Sequence, residues 1–327
     1  MSSFSLYKRF TTQGTLSDSD EVPDPRFALP STVNWMRALA ILVQNRRLNF
    51  INATTFYSTV QKRVSTAQVE NTIFEQLLFA AHQLSALESM LTSPSKADVA
   101  RVGIVGWYYG IYSAASAMIA AQDGTIQDDH TGTATTWDRQ FTSNGKVMEP
   151  FSYRLSTLVK KDFDAEVVSL RAGNGFSLTE KAADATQAYG ACCAYLSGSA
   201  DWWKWKAEEN LKLSREFKNL GVSNFRTKAA QTMRDARLVG KSTGFLHQAI
   251  RYRGKANYRE ALFLGYGKAT DTLLDGYAED LVVVLNGFVA MAGAFVAIRI
   301  GKPLWDEFLD DLERNRSFAL SPKTVWA

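Results

Sequence analysis

Histidine and arginine residues at helical spacing are the side chains of this chain best suited to chemistry on a phosphodiester. His247 lies four residues before Arg251, and Arg253 lies four residues before Asn257. Residues four apart share one face of an α-helix. A histidine there can transfer protons, while an arginine beside it stabilises the charge that develops on a phosphate oxygen. The alternative interpretation is structural: His247 packs in a helical core and Arg251 only extends its charge to solvent.

His130 is a second histidine in a position suited to chemistry. It lies in the segment Gln127–Thr133, which is rich in Asp and Thr and follows a long apolar stretch. The sequence predicts a loop here, and a histidine in a loop is accessible to a substrate. The alternative interpretation is that His130 caps a helix or ties the loop in place.

The signatures of several other chemistries are absent from the sequence. The three histidines, His82, His130 and His247, are far apart, and none has a Cys or His partner at metal-ligand spacing. The glycines of the apolar stretch 102–121 are not followed by a lysine, unlike those of a phosphate-binding loop. We therefore expect neither a metal ion nor another cofactor.

Positive charge is concentrated in one part of the chain. Residues 226–259 contain nine Lys or Arg and one acid, a net charge of about +8, whereas the whole chain carries +4. A local excess of cations is typical of a protein that binds a polyanion such as RNA. The alternative is a solvated basic face without a partner. The cations predicted to contact RNA are Arg237, Lys241, Arg251, Lys255 and Arg259.

A cluster of aromatic and cationic residues, Trp202–Lys206, allows two interpretations. Exposed tryptophans can stack on unpaired bases. However, Trp202 and Trp205 follow the spacing of a helix that packs on a core, and packing is the interpretation we favour.

The elements that must position all these residues are helices. Capping signals and apolar periodicity predict them, whereas strand signals are short and lie in helical context. The sequence therefore predicts an all-α fold, with loops at 123–150 and 171–177. The predicted helices begin at residue 31 and continue at 65–91, 96–122, 177–196, 202–220, 224–239, 243–264, 268–299 and 304–316.

The predicted domain organisation is one helical body with an irregular arm. Residues 1–30 are polar and contain three prolines, which favours an arm. Residues 31–327 form the body, and 151–222 is a possible helical insertion within it.

Two apolar stretches, Val102–Ala121 and Leu281–Ile298, are long enough to cross a membrane. Both are rich in Ala and Gly and lack flanking basic clusters, which favours buried core helices and no stable membrane insertion. The N-terminus has no apolar core of signal-peptide length, and Cys192 and Cys193 are adjacent and unsuited to bridging each other. These features predict a cytoplasmic protein; a membrane-associated helical protein is the rival.

Two segments together resemble the HEPN superfamily. Arg101–Ile119 contains an aromatic pair followed by small residues and an Ala-Ala step, like the second helix of that family. Arg253-Gly-Lys-Ala-Asn257-Tyr258 is similar to the family's later signature, an arginine followed after a few residues by a histidine or by Asp/Asn-Tyr. The resemblance implies a helical bundle core at about 96–135 and 240–300.

The resemblance also implies a function. Many HEPN members are metal-independent ribonucleases of toxin–antitoxin or phage-defence systems, commonly dimers whose arginine motifs face each other; others bind RNA or nucleotides without catalysis. By position, Arg253 would be the motif arginine, and Asn257 and Tyr258 would fill the motif's last place. Because no histidine ends the motif here, His247 or His130 would have to move the proton.

We therefore expect a cytoplasmic, all-α, HEPN-like protein that acts on RNA, with a homodimer and an antitoxin or another defence component as expected partners. The alternative is a non-catalytic helical module that binds RNA, a nucleotide or an acidic partner protein.

Overall fold

The structure is a computed structural model that describes residues 25–127, 129–257, 261–266 and 270–327. Within these ranges the chain is helical, and its β pairing is limited to one antiparallel bridge between Leu155 and Thr243. The predicted all-α fold is confirmed. Tyr258 and Arg259, which the sequence assigned to the site, lie outside the described residues.

The helices divide between long core helices and short connecting ones. In the first half of the chain they are α1 (Pro25–Asn45), α2 (Phe50–Phe56), α3 (Ala67–Met90), α4 (Lys96–Asp123), α5 (His130–Gln140) and α6 (Lys160–Arg171). In the second half they are α7 (Ala185–Lys212), α8 (Arg215–Lys218), α9 (Lys228–Leu238), α10 (Phe245–Asn257), α11 (Leu262–Gly265), α12 (Thr270–Leu273), α13 (Tyr277–Ile300), α14 (Lys302–Asn315) and α15 (Pro322–Trp326).

Side-chain caps determine where the predicted long helices begin. The Thr66 hydroxyl accepts a hydrogen bond from the Val69 N–H at the start of α3, and Ser95 does the same for α4. The predicted arm was too long, because α1 already begins at Pro25. A proline as the first residue of a helix supplies a suitable φ and needs no hydrogen-bond partner for its nitrogen.

The predicted helix boundaries around α7 were wrong. The sequence predicted a helix that begins at Ser177, a break at Gly198 and a new helix after Asp201. Instead α7 is continuous from Ala185 to Lys212, with Asp184 as its N-cap. A glycine inside a helix costs only about 1 kcal/mol relative to alanine, which tertiary packing readily offsets.

Helices α4 and α13 lie side by side in the core, as predicted. A Cβ atom placed on Gly110 would lie 2.7 Å from Cδ1 of Leu285, so the absent side chain permits this close packing. By length and composition both helices could cross a membrane, but 67% and 72% of their apolar windows are buried inside the fold.

The region 151–222 contributes to two apolar clusters. Ala188, Ala191 and Tyr195 of α7 belong to the main core. A smaller cluster joins α6, the second half of α7 and the end of α9. Its members are Leu155, Leu158, Phe163, Val167, Leu196, Ala200 and Leu238.

Candidate functional site: an arginine–histidine pair in a tyrosine cluster

The structure brings Arg253 of α10 against His130 at the start of α5. Nη1 of Arg253 lies 3.0 Å from Nε2 of His130, although the two residues are 123 positions apart in the chain. A guanidinium only donates hydrogen bonds, so Nε2 of the histidine must be the acceptor. His130 is therefore a neutral imidazole whose proton is on Nδ1.

His130 owes its position to a helix that the sequence did not predict. It is the first residue of α5, inside the segment 123–150 that was predicted as loop. The helix begins there because a carboxylate oxygen of Asp129 accepts the Gly132 N–H at 2.7 Å. A Cβ on Gly132 would lie 2.6 Å from the other Asp129 carboxylate oxygen, so glycine is needed for this close cap.

Three tyrosines of α4 surround the histidine. The centroid of the His130 ring lies 5.3 Å from that of Tyr108, 5.8 Å from that of Tyr109 and 4.6 Å from that of Tyr112. The guanidinium carbon of Arg253 is 4.7 Å from the Tyr108 ring centroid, a cation–π contact. The tyrosine cluster, defined here as Tyr108, Tyr109 and Tyr112, thus holds the pair against α4.

Burial tunes the titrating groups of this cluster. Desolvation and the neighbouring Arg253 charge lower the pKa of His130, and Asp129 opposes them with a smaller effect. Desolvation raises the pKa of Tyr108, so its phenol stays protonated. At neutral pH the site therefore holds one fixed cation, one neutral base and one phenol donor.

Three buried polar atoms of the site make no hydrogen bond to any residue that the structure describes. They are Nδ1 of His130, Nε of Arg253 and Oη of Tyr108. Buried polar groups in folded proteins are almost always paired. Three unpaired ones that converge from α4, α5 and α10 make this the strongest candidate site among the described residues.

The structure does not bring His247 to this pair. His247 is 5% exposed, and its Nδ1 accepts the Gly244 N–H at 3.3 Å. Its ring lies edge-on to Trp203 of α7 with centroids 5.6 Å apart. Burial is the main cause that lowers the pKa of His247 to about 4.

The predicted basic residues of α10 do not share one face of that helix. Successive residues of a helix point about 100° apart, so Arg251 and Arg253 point in nearly opposite directions. Arg251 is half-buried, donates to Ser199 Oγ at 3.3 Å and lies over the Tyr195 ring. It faces α7, whereas Arg253 faces α4 and α5.

Lys255 was wrongly predicted to contact RNA, because it is 5% exposed. Its Nζ donates to Ser31 Oγ at 3.1 Å and to Thr32 Oγ1 at 3.3 Å, both on α1. A side chain held in this way is unable to reach a phosphate at the surface. The position belongs to the interior face of α10.

Three other predicted site residues lie at the surface. Asn257 is exposed one turn after Arg253, on the same face of α10. Arg237 and Lys241 are exposed at the end of α9 and just after it. Because Arg251 contacts α7 and Lys255 is buried, the described members of the RNA-contact set that the sequence predicted do not all lie on one exposed face.

The part of the site that the sequence did not assign is the tyrosine cluster. The sequence feature that could have identified this cluster is the i, i+4 spacing of Tyr108 and Tyr112 in a helix rich in glycine and alanine. The described residues contain no group of three or more His, Cys, Asp or Glu side chains that could hold a metal ion.

Comparison of the chain with protein-family models, with curated proteins and with solved structures finds no match in any of the three.

Proposed function

We propose that this protein is a HEPN-like, metal-independent endoribonuclease and that Arg253 and His130 are its catalytic pair. The observation that carries the proposal is the 3.0 Å contact between Arg253 Nη1 and His130 Nε2. Cleavage of RNA without a metal needs a base for the 2′-hydroxyl and a fixed positive charge for the phosphate. The pair combines both groups in a half-buried site.

The geometry supports a sequence of steps. A phosphate group of the RNA accepts the hydrogen bond that Arg253 otherwise donates to His130. The lone pair of His130 Nε2 is then free to accept a proton. His130 then accepts the proton of the ribose 2′-hydroxyl, and the 2′-oxygen attacks the phosphorus. The 5′-oxygen leaves with a proton from water, and the hydroxide so formed takes the proton from His130. The products are a 2′,3′-cyclic phosphate and a 5′-hydroxyl, and His130 is again neutral. Tyr108 Oη, which is buried and makes no hydrogen bond in the described structure, is the donor that we assign to a phosphate oxygen once the RNA is bound.

In this proposal a histidine from another helix takes the role of the histidine that ends the HEPN motif in its catalytic form. The motif's last place holds Asn257 and Tyr258 rather than a histidine. His130 supplies the imidazole from α5 instead, while Asn257, exposed on the same face as Arg253, orients the strand. In the homodimer that the resemblance implies, two such pairs would face each other across a shared RNA cleft.

Charge and composition support the wider context of the proposal. The excess of cations over 226–259 favours a polyanionic partner. A cytoplasmic location and an antitoxin or other defence partner are part of the proposal on the strength of the resemblance.

The second candidate is a non-catalytic module that binds RNA, a nucleotide or an acidic protein. The observation that favours it is that the guanidinium of Arg253 already occupies the lone pair of His130 Nε2. Such a module would bind through the same cations but leave the RNA intact.

Cleavage of single-stranded RNA in the presence of EDTA separates the two candidates. The ribonuclease predicts cleavage by the wild type that ends in cyclic phosphates, and its loss in Arg253→Ala at an unchanged circular dichroism spectrum. Binding without cleavage, across RNAs of varied sequence, would leave only the binding module.

A further inference from the structure

A cavity of about 370 Å³ lies between α5, α7 and the segment that leads into α10. Thr131, the residue after His130, lines it on one side, and Trp203 and His247 line it on another. A second cavity of about 520 Å³ shares Asn210 and Lys241 with it and extends it past Arg237. Because they share lining residues, the two cavities form one groove, and cavities of this size hold small ligands.

The groove contains a buried polar group that is free to bind a ligand. His247 lines the cavity and is 95% buried. Because Nδ1 accepts the Gly244 N–H, the ring proton is on Nε2, for which the described residues supply no hydrogen-bond partner. His247 is therefore a neutral donor within an otherwise enclosed wall.

The rest of the lining has the chemistry of a nucleotide site. Lys206 and Lys241 are exposed cations at its rim, and no acid lines the 370 Å³ cavity. Trp203, whose ring centroid lies 5.1 Å from Lys206 Nζ, supplies aromatic surface to the lining, and Leu158 supplies apolar surface. Cations and a buried N–H donor suit a phosphate, and an aromatic wall suits a base.

The segment from Gly240 to His247, which lines the cavity, is held in place by a buried carboxylate before any ligand binds. Asp138 of α5 accepts hydrogen bonds from Arg154 Nε and Nη2 at 3.2 and 3.0 Å and from Ser242 Oγ at 2.6 Å. These bonds tie the segment before α10 to α5. A site that is held in this way loses little conformational freedom when a ligand binds.

We propose that this cavity binds one nucleotide unit, with His247, Lys206 and Lys241 around its phosphate and Trp203 against its base. The inference rests on the proposed function, since it takes RNA as the ligand class and gives the strand a second point of attachment on α5, the helix that begins with His130. It also gives α7, which lies outside the segments that resemble HEPN proteins, a role in substrate binding.

Binding is measured by calorimetry with adenosine 5′-monophosphate, with inorganic phosphate and with a 2′-O-methyl oligonucleotide, which has no 2′-hydroxyl to be cleaved. The expected result is that the mononucleotide binds more tightly than phosphate. Lys206→Met together with Lys241→Met should weaken binding at least about tenfold, because each charge-assisted contact contributes roughly that factor. Lys62→Met, an exposed lysine between α2 and α3, is the matched control and should bind like the wild type.

A further variant tests the base. Trp203→Leu should reduce the preference for mononucleotide over phosphate, and circular dichroism should show that it folds. Competition by the oligonucleotide would identify the natural source as an RNA strand; its absence would identify a free nucleotide.

The outcomes are separable from those of the proposed function. Equal affinity of the wild type and the double lysine variant would overturn the nucleotide site, even where Arg253→Ala abolishes RNA cleavage. Lysine-dependent binding by a wild type that cleaves no RNA would support the site and refute the catalytic pair. No binding of any of the three probes would also overturn the site.

Discussion

Two buried groups of this protein titrate in opposite directions, and their effects on stability can be separated by substitution. Asp280 of α13 is 3% exposed, and burial raises its pKa from 3.8 to about 6 despite an ion pair with Arg37 at 2.7 Å. His247 has its pKa lowered from 6.5 to about 4, also mainly by burial. The first group holds its proton more tightly in the folded state, and the second holds it less tightly.

The signs follow from proton linkage. As the pH falls from 7 towards 4, folded Asp280 binds its proton before the unfolded chain does, so stability rises by about 2 to 3 kcal/mol. Over the same range the unfolded chain protonates His247 before the folded protein does, so stability falls by about 3 kcal/mol. In the wild type the two effects largely cancel.

Substitution removes one effect at a time. Asp280→Asn should lose about 2 to 3 kcal/mol relative to the wild type between pH 7 and pH 4, because the gain from protonation is gone. His247→Asn should gain about 3 kcal/mol relative to the wild type over that range. Urea unfolding of the three proteins at pH 4, 5, 6 and 7 gives these differences, in which all other titrating groups cancel. A difference between Asp280→Asn and the wild type that is independent of pH would refute the reasoning.

Three further predictions concern the core, the interior lysine and the catalytic base. Trp326→Ala should lower the free energy of unfolding by about 3 to 5 kcal/mol in urea titration, because the indole is buried and donates to the Val289 carbonyl at 3.0 Å; an effect below 1 kcal/mol would contradict this packing. Lys255→Met should lower the melting temperature and leave RNA cleavage per folded molecule unchanged, whereas a direct role in RNA binding predicts weaker binding at normal stability. The acidic limb of the pH profile of kcat/KM should have its midpoint below 6.5, because burial and Arg253 lower the pKa of His130; a midpoint above 6.5 would exclude His130 as the base.

How much of this fold can be predicted from the sequence depends on how local each determinant is. The start of α4 is predictable, because Ser95 and the N–H that it caps are three residues apart. The start of α5 has an equally local signal in Asp129 and Gly132, but the abundance of threonine and glycine made the segment resemble a loop. The continuity of α7 through Gly198 is not local, since it depends on packing against α1 and α10.

The candidate site also has some features that local sequence determines and others that depend on contacts distant in the chain. The opposite directions of Arg251 and Arg253 follow from the helical repeat and could have been predicted from the sequence. The burial of Lys255 depends on hydroxyls of α1 more than 220 residues away in the chain. The Arg253–His130 contact arises where α10 and α5 both pack on α4, so two of the candidate residues were predictable by type, but their pairing was not.

The central claim is that Arg253 and His130 act together on RNA. Single-turnover cleavage of a single-stranded RNA in EDTA should be compared for the wild type, Arg253→Ala, His130→Ala and the double variant. Arg139→Ala on the exposed side of α5 and His82→Ala on α3 serve as matched controls.

Each single variant should lose about 100- to 1000-fold in rate, and the double variant should be no slower than either, because the two groups work as one unit. Both controls should keep wild-type rates. Full activity per folded molecule in either single variant would contradict the account.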